Sequence, residues 1–176
     1  FNCYKELYDS LTGKISSNDE FLISNDDENR ENRIIHNYFM NFHKQIVVIL
    51  SGSESDKFWV DKLKTNLDNN DIYAVDYVCS AHKKTKELLS ILDKYNSNER
   101  QTIFVTVAGR SNALSGVVAC NTSYPVIACP PFKDKVDMAT NINSTLQMPS
   151  YVPVMTILEP INVALSCVRL FNLGNN

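Results

Sequence analysis

The chain has 176 residues, 44% hydrophobic and 21% charged, which suffices for one domain with a proper core and not for two large ones. Seventeen basic against twenty acidic residues leave a formal net charge of −3 and no basic block, which argues against a nucleic-acid or membrane-surface partner. No apolar run approaches the roughly 18 residues of a transmembrane helix, and no secretion signal opens the chain, so a soluble, cytoplasmic protein is expected.

The first residue is Phe1 rather than Met, as in a piece cut from a longer chain. Cys3 to Thr12 reads as a short helix with Gly13 as its C-cap. Residues 16–33 are dense in Ser, Asn, Asp and Glu and too poor in apolar residues to offset their ordering entropy, so they read as a linker or mobile arm. Ile34 to Phe42 reads as a docking helix. Residues 1–44 are therefore taken as an N-terminal arm and linker, and residues 45–176 as the folded domain.

From there the pattern is regular. Ile46 to Leu50 is an unbroken apolar, β-branched run, as a strand buried on both faces requires. Trp59, Leu63 and Leu67 follow at helical spacing. Ile72 to Val78 reads as a second strand, Leu88, Leu92 and Tyr95 mark a second helix, and Thr102 to Val107 forms a third strand. A short helix over Asn112 to Cys120 leads to strands at Val126 to Cys129 and Val154 to Leu158. Pro160 suits the first turn of a last helix striped by Val163, Cys167, Val168 and Phe171. This alternation predicts a parallel sheet covered on both faces, a three-layer αβα sandwich of the flavodoxin-like kind. The cysteines (Cys3, Cys79, Cys120, Cys129, Cys167) are odd in number and lack any Cys-x-x-Cys pair, so neither a metal site nor a disulfide framework is expected.

Ligands in such sheets bind beyond the carboxyl ends of the strands, near the switch in strand order. Three polar, small-residue loops lie there: Ser51 to Asp56, Cys79 to Lys84, and Ala108 to Asn112. Gly52 and its serines allow backbone N–H groups to approach a phosphate at a helix N-terminus. Asp56 either caps its own helix or accepts from ribose hydroxyls, and Lys83 offers a point charge to phosphate. His82 is the one imidazole in the set, a side chain type suited to proton transfer near neutral pH. Each loop alone has a plain structural reading. Gly-Ser turns commonly carry helix caps, a lone His is usually a loop hydrogen-bonder, and Arg110 and Asn112 suit a salt bridge and a cap. The convergence of three such loops favours a site. Neither Gly-x-Gly nor a P-loop is present, which removes the main support for dinucleotide or ATP binding.

Gly52-Ser53-Glu54-Ser55-Asp56, Ser80-Ala81-His82-Lys83, Ala108 to Gly116, Tyr124 to Pro131 and Gln147-Met148-Pro149-Ser150 resemble the aminoimidazole ribonucleotide (AIR) carboxylase family, in order and in spacing, from about Gln45 to Leu173. Lys83 and Arg110-Ser111-Asn112 resemble its second class, which carboxylates the ribonucleotide directly with carbon dioxide; the first class, a mutase, rearranges the N-carboxylated isomer. Asn121 to Pro125 is similar to the animal members, in which this domain shares a polypeptide with a SAICAR synthetase domain. The resemblance implies purine biosynthesis without metal or cofactor, and usually an octamer. By position it implies that Ser53 and Asp56 bind the phosphoribosyl group, that Ser80, Lys83, Gly109 and Ser111 contact substrate, and that His82 is the general acid/base. Arg110, Asn112, Ala113 and Gly116 would form the carbon dioxide pocket. Two departures stand out: Tyr151 replaces the usual Gly after Met-Pro-Ser, and the chain stops at Asn176 where relatives continue. A non-catalytic nucleotide-sensing or scaffold module is the reading from another class.

Overall fold

A computed structural model describes residues 44–173. The expectations for Cys3 to Thr12, residues 16–33 and Ile34 to Phe42 fall outside the described residues.

The strands β1 (Gln45–Ser51), β2 (Ala74–Val78), β3 (Gln101–Val107), β4 (Val126–Ala128) and β5 (Met155–Thr156) alternate with helices α1 (Lys57–Asp68), α2 (Thr85–Asn96), α3 (Ala113–Cys120), α4 (Lys135–Leu146) and α5 (Pro160–Leu173). All strand neighbours are parallel, in the order β2-β1-β3-β4-β5. This is the doubly wound order expected for the flavodoxin-like class.

Strand periodicity explains the unbroken apolar runs Ile46 to Leu50 in β1 and Ile103 to Val105 in β3. Val47, Ile49, Ile103, Val105 and Val107 face one layer, where they meet Trp59, Leu63 and Leu67 of α1 and Val163, Cys167 and Phe171 of α5. Ile46, Val48, Leu50 and Phe104 face the other, against Leu88, Leu92 and Tyr95 of α2 and Leu114 and Val118 of α3. Alternate residues thus serve opposite cores, so neither run has a solvent-facing position, and the buried polar residues Ser51, Thr102 and Thr106 stand toward the strand ends. Each fully buried leucine, such as Leu63 or Leu88, contributes about 1.5–3 kcal/mol by leaving water.

One helix departs from the predicted pattern. α4 lies in a stretch that shows no apolar stripe, and its buried residues are Asn141 and Thr145. Its start is nonetheless well capped: Asp134 accepts from the Val136 and Asp137 N–H groups at 2.9 Å each, and Asp137 accepts from Lys133 N–H at 3.1 Å. β5 is shorter than its sequence run, pairing only Met155 with Ile127 and Thr156 with Ala128, as an edge strand has partners on one side alone. Among the described residues no glycine adopts a positive φ; Asp71, Arg110 and Tyr151 do, at 56°, 58° and 68°. Tyr151 is fully exposed and holds the left-handed conformation that glycine takes without steric cost.

Candidate active site

The sheet register places the three loops level. Ser51, the last residue of β1, pairs with Val78 of β2 on one side and Val107 of β3 on the other. The first loop residues continue the ladder: Cys79 N–H donates to the Ser51 carbonyl at 2.8 Å and Gly52 N–H to the Val107 carbonyl at 3.0 Å. The chain therefore leaves β1, β2 and β3 at one height, and the loops enclose a cleft of about 460 Å³ at the β1/β3 switch point.

Along the first wall, Ser53 caps a 3-10 turn (Glu54–Asp56) by accepting from Ser55 N–H at 3.2 Å. Gly52 lies close to the third loop, since a Cβ there would stand 3.5 Å from that of Ala108. Asp56 makes no side-chain cap bond to α1, so its carboxylate is available to the cleft. Burial raises its pKa above the ordinary 3.8, with a hydrogen bond from the Ser53 backbone acting in the opposite direction. The second wall is a turn closed on the Ser80 carbonyl, which accepts from Lys83 and Lys84 N–H at 3.3 and 2.8 Å. Ser80, Ala81 and His82 line the cleft, with the His82 side chain exposed.

In the third loop, Gly109, Arg110 and Ser111 line the cleft. Arg110 N–H donates to Asn141 Oδ1 at 2.7 Å, Asn112 N–H to Ser144 Oγ at 2.8 Å, and Ala113 N–H to the Ser111 carbonyl at 2.9 Å. The N–H groups of Gly109 and Ser111 have no partner among the described residues. The Arg110 guanidinium reaches Asp137 at 4.0 Å from a largely exposed position, a contact worth little to stability.

The sequence candidates thus separate. Ser53, Asp56, Ser80, His82, Gly109, Arg110 and Ser111 share the cleft, whereas Lys83, Asn112, Ala113 and Gly116 do not line it. Lys83 is exposed on its loop. Asn112 is buried and caps α3: Oδ1 accepts from Ser115 N–H at 3.2 Å and Ser115 Oγ at 3.0 Å, while Nδ2 donates to Thr145 Oγ1 at 2.9 Å. Ala113 opens α3, and Gly116 packs on Met148, whose Sδ would lie 3.4 Å from an added Cβ.

A fourth wall was not anticipated from sequence. Pro131, Phe132 and Lys133 after β4, with Asp137 and Asn141 of α4, complete the cleft. Phe132 is seated by Trp59, their ring centroids 4.9 Å apart. The signal was present in Asp134 and Asp137, an N-cap and a first-turn acid three residues apart, but no apolar period accompanied it. Among the described residues no three of His, Cys, Asp and Glu gather as a metal-ligating group, and no helix is long and apolar enough to cross a membrane.

Parallel α/β layers, polar loops at the switch point, and a cleft walled by Ala81, Ala108, Leu114 and Pro131 between polar groups define a small-ligand enzyme domain. The AIR carboxylase family model matches residues 46–176. Phosphoribosylaminoimidazole carboxylase of Archaeoglobus fulgidus is 46% identical over 126 residues, covering 72% of this chain and 68% of the relative. The bifunctional phosphoribosylaminoimidazole carboxylase/phosphoribosylaminoimidazole succinocarboxamide synthetase of Drosophila melanogaster is 42% identical over 74% of this chain, which spans only 30% of that protein. The crystal structure of Treponema denticola PurE aligns with a TM-score of 0.70 at 40% identity, covering 73% of this chain and 81% of that one. The chain belongs to the AIR carboxylase family of purine biosynthesis.

Proposed function

We propose that this domain carboxylates 5-aminoimidazole ribonucleotide with carbon dioxide to 4-carboxy-5-aminoimidazole ribonucleotide, reversibly. The observation that carries this is the shared cleft of His82, the Gly52–Asp56 loop and the Ala108–Ser111 loop, in a chain of this family. The backbone N–H groups of Ser53 and Glu54, which no other described residue engages, and the hydroxyl groups of Ser53 and Ser80 grip the phosphate, and Asp56 accepts from the ribose. Lys83 acts as an exposed charge at the rim. Positioning of this kind supplies several kcal/mol of the barrier.

The aminoimidazole ring is an enamine, so its C4 attacks carbon dioxide directly. The C4–carboxylate bond forms, carbon dioxide takes up the electron pair, and C4 then loses its proton to His82, which passes it to solvent. In decarboxylation His82 returns it. The apolar wall excludes water, and the N–H groups of Gly109 and Ser111, unpartnered among the described residues, stabilise the new carboxylate. Arg110 and Asp137 flank that end of the cleft. Asn112, Ala113 and Gly116 contribute to the carbon dioxide pocket from behind it, by holding the loop.

Lys83 and Arg110-Ser111-Asn112 favour the carboxylase over the mutase. The reading extends to residues 45–176 as the catalytic domain, residues 1–44 as an arm or the tail of an upstream synthetase domain, a cytoplasmic setting and a homo-oligomer, commonly an octamer in the family. The test supplies the ribonucleotide with bicarbonate and carbonic anhydrase, without ATP, and follows the ring-carboxylated product by absorbance. Product that depends on carbon dioxide is expected, and His82→Asn should lower turnover by about 10²–10⁴-fold while ligand binding persists. Conversion of the N-carboxylated isomer alone points instead to the mutase; binding without any turnover points to a sensing or scaffold module.

A further inference from the structure

The third loop takes a shape that one of its own residues disfavours. It has one residue, Arg110, in the left-handed region at φ 58°, a conformation that a side chain disfavours. Two of its donors, the N–H groups of Gly109 and Ser111, have no partner among the described residues. Asn112 ties the far end of the loop to Ser144 and Thr145, while the Arg110 N–H between the two free donors is held by Asn141. Asn141 on α4 is 3% exposed, and both ends of its amide are engaged by different walls of the cleft. Oδ1 accepts from Arg110 N–H at 2.7 Å, and Nδ2 donates to the Pro131 carbonyl at 2.7 Å. Its own carbonyl accepts from Thr145 Oγ1 at 2.8 Å, and Thr145 in turn accepts from Asn112 Nδ2. The same amide packs against Gly109 so closely that an added Cβ would lie 3.1–3.2 Å from its head-group atoms.

We infer that Asn141 is a positioning residue: by holding Arg110 N–H inward and the Pro131 carbonyl in place, it turns the N–H groups of Gly109 and Ser111 toward the reacting carboxylate. This rests on the carboxylase reading. Arg110 is the middle residue of three, so drawing its N–H into the protein leaves the donors on either side for the ligand. Without the acceptor on Asn141, Arg110 relaxes out of the left-handed region, the peptide rotates, and the donor pair is lost. The phosphate and ribose contacts lie on other loops and are not disturbed. The signature is therefore a loss in kcat with little change in KM for the nucleotide.

The experiment measures both constants for the wild type, Asn141→Ala and Asn141→Asp, together with amide hydrogen exchange. Asn141→Ala should lower kcat by about 10²-fold, the scale of a lost oxyanion donor, with KM for the ribonucleotide within about threefold. Asp keeps the Oδ1 acceptor, and burial against the Pro131 carbonyl favours its protonated form, whose O–H donates there in place of Nδ2; it should restore kcat to within about fivefold of wild type. A folded alanine variant with wild-type kcat, or an Asp variant as slow as Ala, overturns the inference. Should the alanine variant not fold, Asn141→Gln carries the same test, since its longer side chain displaces the acceptor. A wild type without turnover ends the carboxylase reading but leaves the geometry testable. Arg110 amide exchange should then accelerate at least about tenfold in Asn141→Ala while Val105 stays protected, and unchanged Arg110 exchange refutes the positioning role.

Discussion

At Asp56, burial and the Ser53 backbone act on the carboxyl in opposite directions, and burial prevails. A raised pKa in the folded state means that the fold binds this proton more tightly than the unfolded chain does. The stability contributed by this group is then complete below the ordinary value of 3.8 and is lost as pH rises through the folded value. Asp56→Asn removes that loss. The ligand-free variant should melt higher than wild type at neutral pH, with the gap closing near about pH 4, while nucleotide affinity falls. Melting curves across that range check the first part and titration with ribonucleotide the second. A residue that costs stability in the empty protein is typical of a binding group. The sequence offered two roles for Asp56, a cap or a ribose acceptor; only the backbone path into α1, which leaves the carboxylate without a cap bond, removes the first.

Between elements, the third loop is tied to α3 and α4 by a chain of buried polar groups. Thr106 Oγ1 and Ser115 Oγ are 2.7 Å apart, Ser115 meets Asn112, and Asn112 meets Thr145; all four residues are buried. This is why α4 escaped detection in the sequence. Its inner face meets hydrogen-bonding partners rather than an apolar core, so the helix carries no hydrophobic period to read. Asn112→Ala removes an N-cap and leaves buried partners unpaired, which should cost about 2–3 kcal/mol. Denaturant unfolding should show a lower midpoint at unchanged slope, and a shift below about 0.5 kcal/mol, the usual surface scale, would show that the network contributes little. The short edge strand β5 illustrates the opposite error. Val154 to Leu158 looks like a full strand because apolar residues cluster there, yet only two residues find a ladder partner.

Across the molecule, burial governs the thiols as it does the sheet. Cys79, Cys129 and Cys167 are buried and Cys120 is exposed. Burial pushes the Cys129 and Cys167 thiols from the ordinary 9.0 to about 12, despite the indole N–H that Trp59 gives Cys129 at 3.2 Å. That shift alone lowers their thiolate fraction about a thousandfold at neutral pH. Among the four cysteines of the described residues, a thiol reagent on the native protein should label Cys120 first, with Cys79, Cys129 and Cys167 protected until unfolding, as peptide mass spectrometry would read. Rapid native labelling of Cys129 would contradict the packing of α1 and α5 on the sheet.

The sequence by itself determined the parallel α/β class, because strands buried on both faces must be continuously apolar and helices covering them must be striped. It also marked three of the four cleft walls, since loops at strand ends need small and polar residues whatever their partners. What only the tertiary structure decided is the fourth wall and the division of labour within the loops. Asn112 and Asn141 are the same residue type near the same loop, yet one is wholly engaged behind the cleft and the other clamps two of its walls. Hydrogen-bond partners more than thirty residues apart in the chain leave no local pattern. Their pairing is fixed by the level ends of β1 and β3 and by where α4 docks across them.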